Sequence, residues 1–330
     1  MSHPIFSVVM PVYQVEAFVG EAISSVLEQT FGDFELIIVD DGGSDGSMDI
    51  CRGFSDERIR IVTQKNRGLA GARNTGIAAS RGDFIALLDS DDRWHPAKLA
   101  LHFIHLRASS DVDVSYAGSR LIDAAGCFLG VEQKPRLTAV KPHHVLMRNP
   151  VGNGSAAVIR RSALERVAFP HPREPERTCW FDESFRQSED IELWLRMSAG
   201  AGCTFEGIEG CLTDYRILGG GLSANMVRQF ESWERAIDKA RVYAPALLSR
   251  YGRRARAYQL RYLARRAVQL GDGGFAVSLI GQAFAASPSI LLREPRKTLE
   301  TTLGSLAARW LPRRAFKALA ARRLGAGAVA

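Results

Sequence analysis

The stretch FIALLDSDDRW, residues 84–94, decides how this chain folds. Its five apolar residues, Phe84–Leu88, run without a polar interruption, as in a strand covered on both faces. They end in Asp89, Asp91 and Asp92, three carboxylates within four positions. Trp94 and His95 then precede Pro96, a residue suited to the start of a helix. Carboxylates set so close raise one another's pKa unless something positive sits among them. The cluster therefore reads either as a solvated acidic turn or as a seat for a hard cation, Mg2+ or Mn2+, which prefers oxygen ligands.

Upstream the same punctuation repeats. Phe6–Met10, Phe34–Val39 and Arg58–Thr63 read as strands, with helices over Val15–Gln29, Ser47–Phe54 and Leu69–Ser80. Continuous apolar strands alternating with helices indicate an α/β fold with a mostly parallel twisted sheet flanked by helices. In such sheets ligands bind outside the carboxyl ends of the strands. Pro11–Gln14, Asp40–Gly46, Gln64–Arg73 and Asp89–Asp92 are thus expected to meet at one crevice. Downstream, Val112–Ile122 and Ser155–Ile159 read as strands, Glu189–Ala199 as an amphipathic helix, and the proline- and charge-rich Phe169–Arg177 as a surface loop. Arg253–Leu270 and Phe275–Ala286 flank Gly271–Gly274 as a helical hairpin, and Leu299, Leu303, Leu306 and Trp310 mark one face of a last helix.

Charge divides the 330 residues into two regions. Residues 1–225 carry 23 Lys+Arg and 30 Asp+Glu, whereas residues 226–330 carry 20 and 6, a net +14 in the tail. The expected organisation is an acidic α/β domain over 1–225 and a basic α-helical region over 226–330. Five cysteines, odd in number and without CxxC spacing, read as reduced thiols of a cytoplasmic protein. The seven histidines, among them His102, His105, His143 and His144, have no zinc-ligand spacing and read as solvated surface residues. No signal peptide is expected from MSHPIFSVVMPVY, and no apolar run approaches the roughly 20 residues of a spanning helix.

Three further segments carry chemistry. In VDDGGSDGS, residues 39–47, Asp40 or Asp41 suits a ribose or base edge, although Asp and Gly also build plain turns. NRGLAGARNTG, residues 66–76, lacks both the Gly-Lys-Ser/Thr of a P-loop and the spaced glycines of a dinucleotide fold. Its Arg73 offers a guanidinium to diphosphate oxygens. In FDESFRQSEDIELWLR, residues 181–196, Glu189 and Asp190 stand either as carboxylates complementing a helix N-terminus or as a general base at the crevice rim.

Taken in order, SVVMPVYQ, ELIIVDDGGSDGS, NRGLAGARNTGIAASRGDFIALLDSDD and FDESFRQSEDIELWLR resemble the family 2 glycosyltransferases of the GT-A fold, over residues 5–220. The resemblance implies an inverting, non-processive transferase using a nucleotide-diphosphate sugar, a UDP-sugar above others, and Mn2+ or Mg2+. By position, Pro11, Val12 and Tyr13 would line the base pocket, with Asp40 and Asp41 at the uracil or ribose and Arg73 near base and phosphates. Asp89, Ser90 and Asp91 match the aspartate–any–aspartate motif, Asp91 being the direct metal ligand and Asp89 its companion. Asp190 matches the catalytic base. Gly43 departs from the family's usual serine, and the Gln-x-x-Arg-Trp of its polymerases is absent, the nearest match being Leu306–Trp310 without the Gln.

The expected acceptor is a glycan or lipid-linked glycan of cell-surface polysaccharide or lipopolysaccharide synthesis, the basic tail suiting a lipid-linked one at the cytoplasmic face of a membrane. The basic tail suits anionic headgroups, a solvated helical cap or a homodimer surface, and the sequence leaves these open. It does not suit nucleic acid, lacking interleaved aromatics. Two rivals remain at this level: a nucleotidyltransferase acting on a sugar phosphate, and a non-catalytic nucleotide-sugar-binding protein of the same fold.

Overall fold

The computed structural model describes residues 3–218, 226–312 and 316. The chain divides into two compact units, one within residues 1–141 and 150–224, the other within 142–149 and 225–330. The short stretch 142–149 thus clusters with the helical tail. The division expected at 225/226 falls against residues 219–225, which lie outside the described residues, as does much of the tail beyond 312.

In the first unit β1 (Phe6–Val12), α1 (Val19–Leu27), β2 (Phe34–Asp40), α2 (Ser47–Gly53), β3 (Ile59–Thr63), α3 (Gly68–Ala79) and β4 (Phe84–Leu87) alternate as the apolar runs predict. The sheet order is β3-β2-β1-β4, all parallel, so the chain reverses direction across the sheet at β1. In sheets of this kind a ligand site lies at such a reversal, beyond the carboxyl ends of β1 and β4. Strand alternation sends Phe6, Val8, Met10, Leu36 and Ile38 into a core with Val19, Ile23 and Val26 of α1. Ile37 and Val39 meet Ala72 of α3 on the opposite face. Gly76 keeps α3 close to the sheet, because a side chain there would collide with Val9.

The sheet continues through β5 (Arg93–Trp94), β6 (Val114–Ile122), β7 (Phe128–Gln133), β8 (Ala157–Arg160) and β11 (Phe205–Arg216), with α4 (Lys98–Ala108) and α6 (Arg161–Glu165) between them. From β4 the order runs β8-β6-β11-β5, with β7 on β6. β8 is antiparallel to both its neighbours, which brings the turn before it, Gly154–Ala156, beneath the end of β4.

Two local expectations are corrected. Residues 169–177, read as a loop, form a hairpin of β9 (Phe169–His171) and β10 (Glu174–Cys179). Two strands alone leave an edge that tolerates Pro170 and Pro175, and Arg177 ties the hairpin to Glu174 and Glu183. His102, read as a surface residue, is fully buried. Its ring meets Ser115 Oγ at 2.7 Å and Lys98 Nζ at 3.4 Å, and Ser115 Oγ also meets His105. Burial lowers Lys98 to about 7 and His102 well below its usual value; Lys98 donates to the Ala156 carbonyl at 3.0 Å, and His102 meets Ser115 of β6.

The second unit contains α5 (Pro142–Met147), α8 (Met226–Tyr243), α9 (Pro245–Gln269), α10 (Gly273–Ala286), α11 (Ile290–Arg293) and α12 (Pro295–Trp310). Asp272 caps α10 by accepting from Phe275 N at 3.0 Å. Leu260, Leu263, Ala264, Leu279, Ile280 and Ile290 form its core. Among the described residues no helix is long and apolar enough to cross a membrane. All five cysteines are free.

Candidate active site

β4 delivers its chain end to the crevice, and the acidic turn that follows is held by its own last carboxylate. Asp92 is buried; Ser155 Oγ donates to its Oδ2 at 2.6 Å and Arg216 N to its Oδ1 at 2.9 Å. Ser155 Oγ also accepts from Asp89 N at 3.0 Å, and Trp94 Nε1 donates to the Ser155 carbonyl at 2.9 Å. The Arg216 guanidinium donates to the Asp91 carbonyl at 2.7 Å and to Glu21 at 2.8 Å. Asp92 and Arg216 thus shape the turn, in which Asp89 and Asp91 are half-buried. Replacing Ser155 by alanine is expected to leave a buried carboxylate short of a donor, costing about 1–3 kcal/mol in a denaturant titration.

Arg73 of α3 is the centre of the arrangement. Its buried guanidinium donates to Asp89 Oδ1 at 2.6 Å and to Glu189 Oε1 at 2.8 Å. Glu189 and Asp190 open α7 (Glu189–Leu195), so one arginine joins the end of β4 to a helix 116 residues away in sequence. Gly154 makes this fit possible, because a side chain there would collide with the guanidinium. Burial works against the arginine's charge, yet Asp89 and Glu189 outweigh it and raise its pKa. Ser188, just before α7, adopts a left-handed conformation (φ 58°), a costly geometry for a serine that aims the acidic pair inward.

Three carboxylates here are held above their usual range, Asp92 by burial and then by the charges of Asp91 and Asp89. Burial, then the charge of Asp89, pushes Asp91 up to about 6. Burial, then Glu189, pushes Asp190 up to about 7, with Arg73 opposing. Asp89 also raises Asp190, so the acidic turn and the start of α7 share one electrostatic field.

At the end of β2 the two aspartates separate in role. Asp41 is buried and filled, accepting from Gln64 Nε2 (2.6 Å), Arg67 N (2.8 Å) and Gly68 N (3.0 Å), which anchors the start of α3. Asp40 is also buried and accepts at one oxygen from Gly42 N, 3.0 Å. Val12 lies directly opposite Asp40 in the sheet. Pro11 and Val12 are buried, whereas Tyr13 beyond them is 46% exposed, and Ser90 is buried within the acidic turn.

The donor set suits a hard cation. Asp91 accepts no hydrogen bond from another described residue, and burial with the charge of Asp89 raises its pKa while Arg216 opposes the shift. Among the described residues no three His, Cys, Asp or Glu gather into a cage.

Residues 7–167 match the model described as glycosyl transferase family 2. That segment, just under half of the chain, belongs to the family. This family membership sets aside the nucleotidyltransferase alternative. The chain is 29% identical over 229 residues to a Bacillus subtilis protein named for teichuronic acid biosynthesis, glycosyltransferase TuaG, covering 67% of this chain and 82% of that one. It is 28% identical over 236 residues to the Escherichia coli UDP-Glc:alpha-D-GlcNAc-diphosphoundecaprenol beta-1,3-glucosyltransferase WfgD, covering 71% and 86%. Its fold is similar to that of the Pyrobaculum calidifontis mannosyltransferase PcManGT, solved with GDP-Man and Mn2+ (TM-score 0.59, 20% identity, 100% and 87% of the two chains). The GT-A fold expected from the sequence is the fold observed.

Sequence reasoning missed Ser155, Arg216 and the pairing role of Glu189. A serine before a strand and an arginine at a strand end carry no motif, and their partners lie 63 and 124 residues away.

Proposed function

We infer that the protein is an inverting glycosyltransferase that moves one sugar from a UDP-sugar to a hydroxyl of a lipid-linked glycan in cell-surface polysaccharide synthesis. The observation that carries this reading is the buried Arg73, which pairs at once with Asp89 of the acidic turn and Glu189 of the Glu-Asp pair. WfgD, by its name, uses UDP-Glc, a diphosphoundecaprenol-linked acceptor and forms a β-linkage, which supports the donor, acceptor and stereochemistry proposed.

Asp190 takes the proton of the acceptor hydroxyl; a carboxylate raised to about 7 is a stronger base than an ordinary one, at the cost of being half-protonated near neutrality. The hydroxyl oxygen bonds to the anomeric carbon from the face opposite the diphosphate, and the bond to the diphosphate oxygen breaks. One displacement turns an α-linked donor into a β-linked product. Asp91 and Asp89 would hold a divalent cation, Mn2+ or Mg2+, which when bound would neutralise charge on the diphosphate. Asp40 receives the ribose or uracil beside Pro11, Val12 and Tyr13, with Ser90 in the turn below. Arg73 serves the diphosphate by positioning Asp89 and by its positive potential, both arms being engaged with carboxylates.

The tail supports peripheral contact with an anionic membrane. On α12 Leu299, Leu303, Leu306 and Trp310 are 49%, 58%, 41% and 75% exposed along one face, flanked by Arg296, Lys297 and Arg309.

A thermal-shift titration of UDP with and without Mn2+ tests the donor site. Saturating UDP–Mn2+ at about 100 times Kd should stabilise by about 2.7 kcal/mol, a shift of roughly 5–10 °C. Asp91→Asn should abolish the metal-dependent part. No shift in the wild type, or one retained in full by Asp91→Asn, would overturn the assignment.

A further inference from the structure

The second unit contains a cavity of about 370 Å3 that the catalytic reading leaves unused. It is lined by His143 and His144 of α5, Arg250, Tyr251 and Arg254 of α9, and Arg293 of α11, and no carboxylate borders it. Tyr251 is the platform: the His143 ring stacks on it at 4.9 Å and 15°, and the guanidiniums of Arg250 and Arg254 lie 5.3 and 5.8 Å from its centre.

Several other arginines of the same unit are paired with carboxylates. Arg148 and Arg261 share Glu294, Arg256 pairs with Glu234, and Arg296 with Glu300. Arg250, Arg254 and Arg293 have no carboxylate partner among the described residues. Two like charges four apart on a helix face repel, and here both converge on one ring. The Nε of Arg254 is buried and finds no hydrogen-bond partner among the described residues. A buried, unanswered guanidinium donor is costly to the fold. A compact anion with several acceptor oxygens, set between the arginines, would satisfy that donor and cancel the repulsion together.

We propose that this cavity is a binding site for a phosphate group, distinct from the donor crevice. A phosphate or diphosphate matches three converging guanidiniums in charge and in the number of its oxygens, and the aromatic floor of Tyr251 and His143 seats whatever carries it. The site stands on the helical unit alone and does not depend on which sugar the first unit transfers. The same chemistry is presented by a lipid phosphate headgroup and by a soluble diphosphate, and the test separates the two.

The full-length protein is titrated with inorganic pyrophosphate in EDTA, where the cation-dependent donor crevice contributes little, and is co-sedimented with phosphatidylcholine vesicles containing phosphatidic acid. Pyrophosphate should raise the transition temperature of the wild type and of Asp91→Asn alike. Arg250→Gln/Arg254→Gln should weaken pyrophosphate binding by about tenfold or more for each arginine lost. Without ligand this variant should melt no lower than the wild type, because a repulsive pair has been removed. Co-sedimentation that pyrophosphate displaces assigns the site to a lipid headgroup; pyrophosphate binding without it assigns the site to a soluble ligand. No response of the wild type to either probe, or one the double variant retains in full, overturns the proposal. The Asp91→Asn control keeps a failure here distinct from a failure at the donor site.

Discussion

Replacing Asp190 by asparagine is expected to lower kcat/KM by about 10²–10⁴-fold, the range a positioned general base contributes, while leaving UDP–Mn2+ binding intact. The wild-type pH profile carries the sign. Protonation disables a base, so with Asp190 raised to about 7 by burial and by Glu189, kcat/KM should climb about tenfold per pH unit below that value and level off above it. In Asp190→Asn that acid limb should vanish together with the rate. A profile flat between pH 5 and 8 in the wild type, or a variant retaining most of its rate, would remove Asp190 from the chemistry.

Arg73→Met is expected to produce the largest loss of stability. The side chain fits the volume, but it strands Asp89 and Glu189 facing one another in a poorly hydrated pocket. Breaking a buried ion pair by removing one partner costs about 3–5 kcal/mol, and for a domain of this size that is roughly 6–20 °C in Tm. Arg73→Lys keeps the charge but loses the planar fork that reaches two carboxylates at once, so it should recover only part of the loss. Because Arg73 also lowers the pKa of Asp190, the acid limb of any residual activity in Arg73→Met should move to higher pH. Equal melting of all three proteins would show that the pair contributes nothing net.

The parallel half of the sheet was legible because its signals are local. Phe6–Val12, Phe34–Asp40 and Phe84–Leu87 are apolar runs bounded by turn residues, and each is buried on both faces. The acidic turn and the Glu-Asp pair were legible for the same reason, since carboxylates at an element's end stand out in the chain itself. The hairpin at 169–179 was not, because its stabilisation comes from Glu183 outside it. His102 was not, because its burial depends on Ser115 across the α4–β6 contact.

The sequence by itself determined the order of strands and helices, the acidic residues at their ends and the uneven charge of the two regions. These depend on neighbours in the chain: alternation, capping and composition act within a few residues. Only the tertiary structure decided what each charged side chain does. Asp89, Asp91 and Asp92 look alike in sequence, yet one pairs with Arg73, one stands unpaired, and one is buried on Ser155 and Arg216. Asp40 and Asp41 divide the same way, Asp41 filled by the start of α3 and Asp40 accepting from Gly42 N. The reason is that a carboxylate's protonation and use are set by desolvation and by charges within a few ångströms, and at this site those charges come from segments more than a hundred residues apart.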